Sequence, residues 1–189
     1  LKAGINPDFP LGPLSIGLAL NIYLPLGDYG QPKSTDWIAL RYLGYDYQKK
    51  YGFKYGQLRR ITLGQGLLVE NFNSGSGGNI EFTANKAGIL GYITVLKTKI
   101  KAMRTAEEVQ ALRVQRPIIE LSGVPLVVGA TYAEDVDGID DDSTGKQINR
   151  ASQVGYAADI SYPIGGPFFT LYAEGAHLED QATGYGFGA

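Results

Sequence analysis

The chain has 189 residues, a formal net charge of −2 and no cysteine, so it holds no disulfide or thiolate metal site and lacks the basic excess with which a protein grips nucleic acid. Glycine accounts for 26 residues, roughly twice average usage, and tyrosine for 13 against seven phenylalanines and one tryptophan, a bias that points to β structure. No run approaches the ~18 consecutive apolar residues of a transmembrane helix.

Residues 14–24 alternate on two beats, Leu14, Ile16, Leu18, Leu20, Ile22 and Leu24 against Ser15, Gly17, Ala19, Asn21 and Tyr23. Successive side chains of a pleated strand point to opposite faces, so this run predicts a strand with one aliphatic face and one small or polar face. Its length matches the ~9–11 tilted residues that cross a bilayer and exceeds the ~5–6 usual in soluble sheets. A half-buried strand of a soluble sandwich or barrel carries the same aliphatic face. After a polar loop over 27–34, residues 37–55 hold seven aromatics, and from Leu43 the odd positions are mostly aromatic while the even ones are polar or glycine. Lys49 and Lys50 read as the turn between two strands. Arg41 falls on the outward beat with Trp37 and Leu43, and a bulge near residues 42–44 would turn it.

Residues 61–70 alternate again, with Gly64 and Gly66 on one face, leaving room for a side chain or a plug to approach, or kinking the sheet so that it curls. The glycine-rich loop 73–78 lacks the spacing of a nucleotide-binding motif. A short strand is predicted over 80–84 and a long one over 89–102, with Leu90, Tyr92, Leu96, Ile100 and Ala102 on one face and Lys97, Lys99 and Lys101 on the other. Thr105 and Glu108 have capping-box spacing, which predicts one short helix near 105–112. Residues 125–134 and 153–162 alternate cleanly, the latter setting Val154, Tyr156, Ala158, Ile160 and Tyr162 against Gly155, Ala157, Asp159 and Ser161. A tight turn over 163–167, a strand from 168 to 175 and the opening of one more strand over 183–188 complete the pattern. The chain begins without Met or a signal peptide, as a mature product or a portion of a longer protein would.

Residues 14–24, 125–134 and 153–162 resemble strands of bacterial outer-membrane β-barrels, and the alternation of short and long connections resembles their up-and-down meander. The resemblance is architectural and carries no family-defining motif. It implies an all-β, antiparallel up-and-down transmembrane barrel, or part of a larger one, formed as a single domain over 1–189. It further implies a pore or envelope component of the bacterial outer membrane, with no enzymatic activity and no cofactor. Its partners would be membrane lipid and a second copy or an envelope protein. Leu14, Ile16, Leu18, Leu20, Ile22 and Leu24 would face lipid. Lys97, Lys99, Lys101, Asn21 and Asp159 would line the lumen, the lysines giving a slight anion preference. The alternative is a soluble β-barrel or sandwich that binds an apolar or sugar ligand. A third reading is a barrel enzyme built on His177, the single histidine, although no local catalytic signature accompanies it. Asp135, Asp137 and Asp140 offer oxygen ligands for Ca²⁺, but their spacing departs from an EF-hand loop, and no metal site is expected.

Overall fold

A computed structural model describes residues 2–23, 38–74, 87–106, 109–136, 139–141, 147–149, 152–164 and 169–189. Every regular element among these residues is a strand. The first part of the main sheet contains β1 (Lys2–Ile5), β2 (Asp8–Leu11), β3 (Leu14–Tyr23), β4 (Ile38–Tyr47) and β5 (Tyr51–Gly56). A small hairpin, β6 (Ile61–Leu63) and β7 (Val69–Phe72), interrupts it. The sheet resumes with β8 (Gly88–Val95), β9 (Thr98–Thr105), β10 (Val109–Leu121) and β11 (Val124–Asp135). A second small hairpin, β12 (Ile139–Asp141) and β13 (Gln147–Asn149), precedes β14 (Gln153–Ile164), β15 (Phe169–Leu178) and β16 (Ala182–Gly188). All ladders of the main sheet are antiparallel between neighbours in this order, with β1 and β2 both lying against β3. The ring expected from the sequence is not closed: β1 and β2 form one edge and β16 the other.

Tight turns join the strands at one end. Leu96 and Lys97 have φ of 48° and 67°, and Ser122 and Gly123 have 53° and 78°, the paired positive values of a two-residue hairpin whose twist matches its strands. The turn between β4 and β5 spans residues 48–50, where Lys49 and Lys50 were expected to place it. Arg41 is the bulge: Gly17 pairs Tyr42 and Leu18 pairs Leu40, so Arg41 stands opposite no residue of β3 and turns into the sheet's buried side.

Three expectations fail for identifiable reasons. The helix near 105–112 does not form, since β9 runs to Thr105 and β10 begins at Val109. Thr105 Oγ1 does accept the N–H of the residue four positions on, Val109, at 3.2 Å, but the bond closes a hairpin and not a helical turn. The long strand over 89–102 is two strands folded at Leu96 and Lys97, so Lys101 pairs Tyr92 and shares its face. The strand over 61–70 is the β6–β7 hairpin, reversed where Gly64 and Gly66 take φ of +74° and +105°. Leu24, Asp137 and the strand expected over 80–84 lie outside the described residues, as do the side chains of Asn21, Ile22 and Asp140.

The two faces of the sheet differ in kind. The segment 57–74 packs on one of them, the inner face, where Leu58, Leu63 and Val69 form a small core with Met103 and Ala111. Leu58 of this segment lies against Gly88 of β8, and Leu67 lies against Gly186 of β16. The segment therefore reaches from β8 to β16, the first and last of seven consecutive strands of the sheet. Among the described residues no segment covers the outer face. In register across it run Tyr47, Tyr51, Ile93, Ile100, Val114, Ala130, Ala158, Gly175 and Tyr185.

Candidate functional site

The inner face collects the charge. One register row crosses it as Asp46, Gly52, Tyr92, Lys101, Arg113, Thr131, Ala157, Ala176 and Gly184. The next reads Thr94, Lys99, Gln115, Gly129, Asp159, Glu174 and Gly186. Antiparallel pairing puts opposed residues on one face, so Lys99, Lys101 and Arg113 stand together on β9 and β10, while Asp159 and Glu174 stand together on β14 and β15. The seam between the two groups is the ion pair of Arg113 with Asp159. It is bidentate, Nη1 to Oδ2 at 2.6 Å and Nη2 to Oδ1 at 3.0 Å, and Thr131 Oγ1 accepts a further bond from Nη1 at 3.0 Å. The guanidinium retains 6% of its exposure and the carboxylate none, so this is a desolvated pair held by three hydrogen bonds.

The space beside that pair is filled by the tip of the hairpin. Glu174 is 3% exposed and its Oε2 accepts the backbone N–H of Leu67 at 2.9 Å. Its other oxygen, together with Arg113, closes on Gly64, where both the positive φ and the lack of space admit only glycine. The leucines of the segment 57–74 sit in places the sheet leaves empty. A Cβ on Gly88 would stand 2.7 Å from Leu58, one on Gly186 would touch Leu67 at 3.4 Å, and one on Gly155 would collide with Leu68. Gly155→Leu is therefore expected to evict Leu68, costing about 1–3 kcal/mol as overpacking and loosening the whole tip. Amide hydrogen exchange checks this: the amides of residues 61–72 should lose protection while those of β10 and β11 keep theirs.

Of the residues picked from the sequence, Lys99, Lys101 and Asp159 stand on this inner face. Among the described residues Lys99 and Lys101 make no ion pair, and Lys99 Nζ lies 5.2 Å from the centre of the Tyr92 ring. Lys97 is elsewhere, at the exposed turn between β8 and β9, 3.5 Å from Glu120. On β3, Ala19 is buried, while Leu14 is exposed and Ile16, Leu18 and Leu20 are half-buried on the opposite side. His177 lies on the outer face of β15, exposed, with Nδ1 2.9 Å from Thr183 Oγ1. Asp135 ends β11, and among the described residues no group of three His, Asp or Glu side chains converges to hold a metal. Sequence reasoning missed Arg113 and Glu174. Each was legible as a charge on the beat of its strand's small residues, Ala111 with Arg113 and Glu174 with Ala176. Comparison with protein-family models, curated proteins and solved structures finds no match.

Proposed function

We propose that this chain forms the wall of a transmembrane β-barrel in the bacterial outer membrane, acting as a pore or envelope component whose interior is narrowed by the segment 57–74. The observation that carries the reading is an inversion of burial. Arg41, Arg113, Asp159 and Glu174 are all at most 6% exposed, while Leu112, Ile93, Leu171 and Tyr156 on the outer face keep 44–47% of their exposure. A water-soluble fold buries the second group and hydrates the first. A bilayer reverses the preference, since lipid covers the apolar face and the lumen keeps the polar one. Along the outer face Tyr45, Tyr47, Tyr51 and Phe53 cluster at one end, with Tyr47 and Tyr51 stacked at 5.1 Å, which suits a membrane interface. Arg104 and Arg116 are the outer-face cations of β9 and β10, and their long side chains can carry the charge to the headgroup level. Inside, Asp159 neutralises Arg113, and Lys99 and Lys101 stand on β9 with Asp46 and Glu174 further along the same rows, so any anion preference of a conducting pathway would be slight and would fade at high salt.

The stacked tyrosines also suit a sugar-binding surface on a soluble sheet, and the two readings part in one experiment. The unfolded chain is diluted from urea with and without lipid vesicles or detergent micelles. The membrane reading expects β structure, heat-modifiable migration on gels and protease resistance only with lipid or detergent. A monomer that folds and stays soluble without either would overturn it. Reconstituted protein should then show a reversal potential under a salt gradient that moves toward cation preference in Lys99→Glu with Lys101→Glu.

A further inference from the structure

We infer that Arg41, Lys54 and Arg59 form a binding site for a small oxyanion, the carboxylate or phosphate group of a solute, on the inner face beside the β4 bulge. Among the described residues, Arg41 and Lys54 share the Tyr42 ring there with one carboxylate, Asp8, and Arg59 acts on Lys54 electrostatically. The guanidinium of Arg41, 6% exposed, gives Nη2 to Asp8 Oδ1 at 2.8 Å and only a long contact, 3.5 Å, from Nη1 to the carbonyl of Asn6. Among the described residues its buried Nε–H finds no acceptor and the buried side-chain oxygen of Asn6 finds no donor, the two ends of that amide being interchangeable in placement. A guanidinium normally commits the edge formed by Nε and one Nη to a single oxyanion as a fork. Asp8 takes half of this edge and leaves the other half open.

The surroundings are shaped for a planar or tetrahedral anion. Lys54 Nζ stands 4.0 Å from the centre of the Tyr42 ring and Arg41 Cζ stands 5.7 Å from it, so the ring is a floor on which both cations rest. Tyr42 in turn lies over Gly17, its partner across the ladder, where no side chain would fit. Asp8, Arg41 and Arg59 all act electrostatically on Lys54, and Asp8 is the one carboxylate among them. Among the described residues, three positive charges stand against one negative, an excess that an incoming oxyanion balances. Asp8 is 58% exposed at its side chain, which makes it a competitor that can swing away and not a fixture of the core. The inference holds whether the outer face meets lipid or water.

The test uses the full chain folded in micelles, at constant ionic strength set with chloride, titrated with inorganic phosphate and separately with acetate while the Arg41 Nε–H resonance is followed. Saturable shifts in the millimolar range are expected with at least one of them, and the arm that saturates identifies the headgroup. Lys54→Gln and Arg59→Gln should each weaken binding at least threefold. Asp8→Asn should tighten it at least threefold, an outcome that a purely structural ion pair would not give. These three positions are exposed or half-buried, so the variants keep the fold. Absence of saturation with both anions, an affinity indifferent to Lys54→Gln, or weaker binding in Asp8→Asn would each overturn the site.

Discussion

Arg113→Met should lower the stability of the folded chain by about 3–5 kcal/mol, because it strands the Asp159 carboxylate without a countercharge in a place that water does not reach. The same logic makes the double variant informative. Arg113→Met together with Asp159→Leu removes both charges and their desolvation cost, and should recover most of that loss. Gly129→Ala should resemble the single variant in kind though less in size, since its Cβ would stand 2.6 Å from Asp159 Oδ2 and press on the guanidinium as well. Urea unfolding in micelles, followed by far-ultraviolet circular dichroism, gives the three values. A double variant as unstable as Arg113→Met alone would mean that the cost comes from lost packing and not from the stranded charge.

A second large effect is expected from two neighbouring residues on opposite faces of β14. Ile160 points outward and is 39% exposed, while Ser161 points inward and is half-buried. If lipid covers the outer face, Ile160→Arg costs about 2–4 kcal/mol and Ser161→Arg far less. If water covers it, Ile160→Arg is an ordinary surface change worth about 0.5 kcal/mol or less. Folding efficiency into vesicles across a urea series separates these outcomes, and equal tolerance of the two arginines would refute a lipid-facing outer surface. Ser161 serves as the inner control because it is half-buried, whereas a fully buried inner position such as Ala19, only 1% exposed, would reject an arginine on volume alone.

Alternation carried most of the fold, and its failures are local. In β14 the sequence alone sorts Gly155, Ala157 and Asp159 from Tyr156, Ala158 and Ile160, and the burial of the strand follows that sorting residue by residue. The faces of β8 and β9 were misassigned because the turn at Leu96 and Lys97 contains none of the Gly, Asn or Asp residues that advertise a two-residue hairpin. Across that turn the ladder pairs an even-numbered residue with an odd one, Tyr92 with Lys101, so the inward beat changes parity while the sequence pattern runs on unbroken. The hairpin at 61–72 kept a strand-like rhythm of Ile61, Leu63, Leu67 and Val69 for a different reason: Leu63 and Val69, with Ile61 against them, pack onto the sheet's inner face as a tertiary core. The ion pair of Arg113 with Asp159 was illegible because its partners are 46 positions apart and meet only through the register of β10, β11 and β14.

The open sheet has an arithmetic consequence. Taking β1 and β2 as one position, since both follow a single register along β3, the sheet has eleven positions among the described residues, each antiparallel to the next. Alternating direction over an odd number leaves the first and last strands pointing the same way. Joining β16 directly to β1 and β2 would therefore make a parallel seam, with slanted and weaker bonds, in a sheet otherwise wholly antiparallel. An all-antiparallel ring requires an odd number of additional strands between them. The two margins are also unequally guarded. Pro7, Asp8 and Pro10 interrupt one, whereas Ala182–Gly188 offers neither proline nor charge and leaves Tyr185 and Phe187 83% and 88% exposed. By the rules that keep sheet edges from sticking, the margin at β16 is the one expected to accept a further strand, and the one at which the chain would aggregate first.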